Sequence, residues 1–299
     1  MTLVLFFGCL FVAFSPIIAL FIFVIYKEAK LLIIMLAGAF FWLLSIFIAS
    51  ILWKIVKPLQ DENAWSIAIS IVAQEGVRLL LYKIFIKLEA NIYRFATKQT
   101  LETEKSYLKG SLACGVGYSF AYVLVMYGSV MTHSTGPGSL FTSECPKISL
   151  FIVNALLAHN FGILNILWTI IIFISFKSLK NKKENKKIIY IFAITLSLAS
   201  HFLLSYLTLI KNCKVSLLVN YLISIPLAII GYFFIKKYYR NKKDFYQSQI
   251  NETQKDEQTI EVIKPQENDQ KQDLTRRRVP NDNTSDDEPV LFDNDIKIK

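Results

Sequence analysis

The sequence predicts an all-α membrane protein: a bundle of seven transmembrane helices, with the N-terminus outside, on the luminal side, and the C-terminus in the cytosol. Three observations carry that expectation. The 299 residues are 54% hydrophobic with a mean hydropathy of +0.42, against roughly 45–50% apolar residues in ordinary soluble domains. The apolar residues gather into seven runs almost free of charge, each long enough for the ~20 residues that a bilayer core demands of a helix. Basic residues, finally, are divided unevenly between alternate connections.

The expected spans are approximately 3–26, 31–53, 65–86, 111–132, 148–175, 188–210 and 215–235, within a membrane domain of 1–240. The first is too long for the apolar region of a signal peptide. No basic residue precedes it, and Lys27 and Lys30 follow it instead, so it is read as a span. The second, LAGAFFWLLSIFIASILW, has no charge until its end. The third is interrupted by QEGVRLLLYK (74–83). The fourth to seventh are again apolar, with scattered Asn, Ser and His.

With the N-terminus outside, the inner connections hold Lys27 and Lys30, then Lys87, Arg94, Lys98, Lys105 and Lys109, then FKSLKNKKENKK (176–187). KKYYRNKK (236–243) follows the last span. The outer connections hold only Lys54, Lys57, Lys147, Lys211 and Lys214. The net charge of +10 is therefore mostly orientation charge, suited to anionic inner-leaflet lipids, and no nucleic-acid partner is expected. Residues 241–299 are rich in Asp, Glu, Gln, Asn and Lys and read as a disordered cytosolic tail. Its two glycosylation sequons, at Asn251 and Asn283, stay unused on that side of the membrane.

Cysteine is uninformative about cofactors. Cys9 and Cys114 lie in spans, while Cys145 and Cys213 lie at outer connections, where they could pair at a separation the sequence does not show. No Cys/His metal spacing occurs, so neither a metal nor another cofactor is expected.

The polar residues inside spans carry the functional question. Glu75 and Arg78 are three apart and share a helix face. A lone charge at mid-membrane costs at least ~2.5 kcal/mol, and such residues face a bundle interior or a wet cavity. Gln74 borders the same face, and Lys83 is near enough to the inner end to snorkel. His201 lies in the sixth span; Asn154, His159, Asn160 and Asn165 lie in the fifth. The plain reading of each is a hydrogen-bonding strut between helices. Small residues (Gly38, Ala39, Ser45 and Ala49, and Gly115 four before Ser119) permit close helix approach.

Two catalytic readings fail on the residues. An intramembrane aspartyl protease needs two aspartates in facing helices, and no span here contains one. A membrane serine protease would need Ser119, in Gly117-Tyr-Ser119, beside His201 as base. Such a serine and histidine occur in many bundles by chance.

Several motifs are more specific. FFGCLFVAFSPIIALF in the first span, LAGAFFWLLSIFIASILW in the second and QEGVRLLLYK in the third resemble the anterior-pharynx-defective (APH) family, the multispanning scaffold subunit of γ-secretase. Further similarities follow in order: Gly136–Gly138, Leu167-Trp168, ASHFLLSYLT (199–208) and VSLLVNY (215–221). The resemblance covers residues 3 to about 235, and the tail has no counterpart in it.

What the resemblance implies is a non-catalytic role. The family assembles with nicastrin, then with presenilin, which carries the catalytic aspartates, and with the presenilin enhancer subunit. The complex processes type I membrane proteins such as Notch and amyloid precursor-like substrates, from the endoplasmic reticulum and Golgi to the plasma membrane and endosomes. Gln74, Glu75 and Arg78 match the family's polar patch. His201 matches one of its two buried histidines, and Asn165 stands where the other is expected. Together these residues are expected to line a hydrophilic cavity that could also accept the C-terminal part of presenilin. The span-four glycine zipper is kept at Gly115, replaced by a small residue at Ser119 and lost at Val123.

Two functions from different classes are thus weighed: an assembly scaffold of an intramembrane protease, and a small-solute or proton-coupled transporter using Glu75 and His201. A transporter is expected to show internal repeats or broken helices, and no repeat is evident in the sequence.

Overall fold

The computed structural model describes residues 3–56, 63–92, 101–131, 141, 145–180 and 187–276. Seven helices follow one another: α1 (Leu3–Leu20, continued by a π-helical turn over Phe21–Ile25), α2 (Ala29–Ile55), α3 (Asn63–Ile92), α4 (Leu101–Met131), α5 (Leu150–Lys180), α6 (Lys187–Leu207) and α7 (Cys213–Arg276). Among the described residues there is no strand. All helices match an expected span, and most begin or end some residues beyond it, because amphipathic turns at a membrane surface continue the hydrogen-bond ladder past the apolar run.

Six of the seven are long and apolar enough to cross a membrane. The exception is α3, as long as its neighbours at 30 residues but lowered in hydropathy by Gln74, Glu75 and Arg78. These residues are inside the bundle: Arg78 and Gln74 are buried. The polarity that sets α3 apart from the other helices makes contacts with α5 and α6.

α5 is the centre of the bundle, with 72% of its most apolar window buried, against 17% for α7. It packs against α1, α4 and α6, while α2 packs against α4 and α3. Trp42, Tyr118, Tyr127, Phe151 and Phe173 are among the fully buried side chains. Across the rest of α1, α2 and α6 large apolar residues point outward, such as Phe11, Phe40, Phe47 and Phe192, as lipid-facing helices require.

Pro16 sits inside α1 without ending it. Proline has no N–H to give to the carbonyl four residues earlier, so Val12 is left with a free acceptor in an apolar setting. Two groups satisfy it: Ser15 Oγ donates to Val12 O at 3.1 Å, and His159 Nδ1 reaches the same oxygen at 2.9 Å from α5. His159 therefore serves the α1–α5 contact and stands apart from His201.

Cys145 and Cys213 are joined by a disulfide, which ties the start of α7 to the segment before α5. Between its spans the sequence left this pairing open. α7 runs as helix to Arg276, past residue 241, where the composition changes to that of the polar tail. Gln, Glu and Lys in this stretch are good helix formers, while Pro265 removes one backbone hydrogen bond from it. The chain divides into two compact units, Met1–Asp244 and Phe245–Lys299. Gly136–Gly138, the Asn283 sequon and residues 277–299 lie outside the described residues.

Candidate functional site

α3 places Gln74, Glu75 and Arg78 on its inward side, because positions three apart lie about one turn apart on a helix. Arg78 donates to Glu75 within α3. Its second terminal nitrogen donates to Asn165 Oδ1 of α5 at 2.7 Å. His201 Nδ1 of α6 donates to the same Glu75 oxygen at 2.6 Å. One carboxylate thus accepts from two helices, and one guanidinium spans two. Asn165 is fixed in turn: its side-chain amide nitrogen donates to Phe161 O at 3.0 Å, and its backbone carbonyl accepts from Thr169 Oγ1 at 2.8 Å.

The physical need for this closure is strong. The Arg78 side chain is fully buried and that of Glu75 is 12% exposed. An unpaired charge there would cost several kcal/mol. The guanidinium also lies 4.6 Å from the centroid of the Tyr118 ring, within the range of a cation–π contact. Tyr118 OH donates to Gln74 O at 2.9 Å, and Gln74 Nε2 donates to Ser70 Oγ at 3.1 Å. Gln74 Oε1 and Arg78 Nε have no partner.

Beside the cluster is a cavity of about 460 Å³, with Gln74, His201, Tyr122, Asn154 and Ser205 in its lining. Gln74 and His201 belong to the cluster's neighbourhood and to this lining alike, and Met126, Leu157 and Phe161 of α4 and α5 add apolar surface to it. Water needs two to four polar partners, and Gln74, whose Oε1 has no partner, is among the residues of that lining.

The sequence-chosen residues Gln74, Glu75, Arg78, Asn165 and His201 are brought together. Gly115 and Ser119 are elsewhere, on the α4–α5 contact: Ser119 Oγ donates to Gly162 O at 2.8 Å, and a Cβ on Gly115 would come within 3.0 Å of Ile166 O. Ser119 and His201 are each committed to other partners, so the serine–histidine pair is not assembled. Val123, at the lost zipper position, packs where a Cβ on Gly162 would be 3.3 Å away.

Three residues were missed from the sequence. Trp168 stacks on His201 with ring centroids 4.3 Å apart and donates from Nε1 to Ser200 Oγ at 3.0 Å. Tyr118 supplies the ring over Arg78. Gly117, noted only as a neighbour of Ser119, makes the closest helix approach of any described glycine: a Cβ there would lie 1.8 Å from Met35 O. An aromatic at i+3 from Asn165 was a visible signal for Trp168; nothing in the sequence singled out Gly117 from Gly115.

His201 variants should separate the bond from the packing. Because Nδ1 makes the contact, His201→Asn places an amide nitrogen near the same point and should retain most stability. His201→Gln places it one atom further and should do less well. His201→Ala loses bond and stacking together, a loss of roughly 1–3 kcal/mol. Thermal unfolding of the purified variants checks the order; Asn no better than Ala would remove the hydrogen bond from the account.

Comparison with known proteins adds to this geometry. The sequence model of the family described as Aph-1 protein matches residues 4–238. The gamma-secretase subunit Aph-1 of Drosophila melanogaster is 30% identical over 235 residues, 78% of this chain and 93% of that protein. The gamma-secretase subunit Aph-1b of Danio rerio is 26% identical over 242 residues, 78% and 89% of the two chains. The gamma-secretase subunit APH1-like of Arabidopsis thaliana is 30% identical over 162 residues, 52% of this chain and 64% of that one. The family match spans the helical bundle from its first helix into its last, and the chain belongs to the Aph-1 protein family.

Proposed function

We propose that this chain is the non-catalytic scaffold subunit of a γ-secretase complex, holding nicastrin and presenilin together while the presenilin enhancer subunit joins. The observation that carries the reading is the similarity to gamma-secretase subunits along most of the bundle. The polar cluster supports it: Glu75, Arg78, Asn165 and His201 are hydrogen-bonded to one another across α3, α5 and α6, as befits a brace between three helices. No span holds an aspartate, consistent with catalytic carboxylates supplied by another subunit. The transporter reading has no support, since the relatives are named as γ-secretase subunits and the charges it needs are locked in mutual pairs.

In this reading the N-terminus is luminal and the basic helix ends face the cytosol. The complex acts on type I membrane proteins between the endoplasmic reticulum, Golgi, plasma membrane and endosomes. Gln74, Glu75, Arg78, Asn165 and His201 form the assembly cavity, and Gly115 and Ser119 set the α4–α5 packing.

Affinity purification of the full chain from mild detergent tests it. Presenilin and nicastrin should co-purify in a fixed proportion through a sizing column. A chain that elutes free of both, while folded by its thermal transition, would overturn the proposal.

A further inference from the structure

A second cluster of ionisable groups lies at the opposite end of the bundle from the disulfide, among the basic helix ends. Glu104, near the start of α4, is 4% exposed. Its Oε2 accepts from Lys177 Nζ of α5 at 3.1 Å and from Tyr238 OH of α7 at 3.1 Å. Lys177 also sits 3.7 Å from the centroid of the Tyr107 ring, and Tyr107 OH donates to Phe173 O at 2.7 Å. One buried carboxylate therefore joins three helices.

Glu89, near the end of α3, is the second acid of this cluster. Its Oε1 is buried without a hydrogen-bond partner. Burial and the negative charge of Glu104 raise its carboxyl to about 7, opposed by Lys177 and by Lys30 at the start of α2. Lys30 is itself engaged with Ser106 Oγ at 3.2 Å. The groups around Glu89 are thus Lys30 of α2, Tyr82 of its own helix, Glu104 and Tyr107 of α4, and Lys177 of α5, with Tyr238 of α7 reached through Glu104.

α7 gives this cluster its consequence. It is the least buried of the candidate spans, and it is held to the bundle at separate points. The disulfide to Cys145 secures its start, Tyr221 OH donates to Leu156 O at 2.9 Å along its length, and Tyr238 grips Glu104 at the far end.

We propose that Glu89 and Glu104 work as a proton-binding acid pair, and that the proton on Glu89 sets how firmly Glu104 holds Lys177 and Tyr238, and so the far end of α7. With Glu89 neutral, Lys177 serves Glu104 alone and the three-helix clasp is closed. With Glu89 ionised, two carboxylates repel each other and compete for that lysine, which loosens the clasp. The sign follows from linkage. A carboxyl raised in the folded state supports the fold at low pH, and that support is lost as the pH climbs through about 7. This device does not depend on the scaffold reading, because it lies within one chain.

Hydrogen exchange of the intact chain in lipid nanodiscs tests it, with rates corrected for the intrinsic pH dependence of amide exchange. Protection of residues 232–244 should fall by roughly threefold or more between about pH 6 and about pH 8. Glu89→Gln mimics the neutral acid and should hold the low-pH protection at both values. Tyr238→Phe should show weak protection at both, with little pH dependence left. A wild-type chain whose protection does not change, or a Glu89→Gln chain that keeps the wild-type change, would overturn the proposal. A Tyr238→Phe chain with full pH dependence would overturn the route through Tyr238.

Discussion

Glu75→Ala should destabilise the chain more than the double variant Glu75→Ala with Arg78→Met. The single change removes the one oxygen that accepts from both Arg78 and His201. It leaves a guanidinium with no exposed surface, held by Asn165 Oδ1 and the faces of Tyr118 and Trp168. Breaking a buried pair from one side costs roughly 3–5 kcal/mol, a large part of the 5–15 kcal/mol that typically separates folded from unfolded states. In the double variant the charge is gone, and methionine fills much of the arginine's volume. What remains is neutral: Asn165 Oδ1 and the His201 N–H, the latter beside a cavity of about 460 Å³ that can admit water. The thermal midpoint of the detergent-solubilised chain, and the amount of partner co-purified with it, should both fall further in the single variant. Equal losses would mean that the pair is not what Arg78 depends on.

The seven helices were legible because a bilayer reads one property, apolar length, and each run has it. The same property conceals how the helices meet. In lipid an apolar side chain gains little by turning toward a neighbouring helix instead of toward an acyl chain, so the sequence of α2 or α6 carries little sign of which face packs. Polar residues escape that ambiguity. Glu75 and Arg78 could be paired from their spacing alone, and both had to face inward. Their partners on other helices are a different matter: spacing does not choose among Asn154, Asn160 and Asn165, the family resemblance pointed to Asn165, and the fold supplies its bond to Arg78. The role of His159 was hidden for a related reason. Its value depends on the carbonyl that Pro16 leaves free 147 residues away from it along the chain at Val12, and no local pattern links the two.

Proline and glycine act through backbone, and the glycine case yields the second large effect. Gly117→Ala should be more damaging than alanine at any other described glycine of α4. A Cβ at Gly117 would fall 1.8 Å from Met35 O and 3.0 Å from Ala39 N, both backbone atoms of α2. From the other side, a Cβ at Gly38 would fall 2.3 Å from Cys114 O. The two helices therefore touch backbone to backbone, and no side chain can rotate away to make room. α2 and α4 would have to separate along the whole crossing, losing the close van der Waals contact that holds helices together in lipid. Overpacking of this kind costs typically 1–3 kcal/mol and more where nothing yields, so about 3 kcal/mol is expected. Gly115→Ala should cost less, since its Cβ would sit 3.0 Å from Ile166 O, a gap that a shift of a few tenths of an ångström relieves. Gly128→Ala meets nothing within 4 Å and removes a flexible residue from a helix interior, so it should be neutral or stabilising by roughly 0.5–1 kcal/mol. Thermal unfolding of the three variants gives the order directly. A Gly117→Ala chain as stable as the Gly128→Ala chain would show that α2 and α4 do not meet through their backbones.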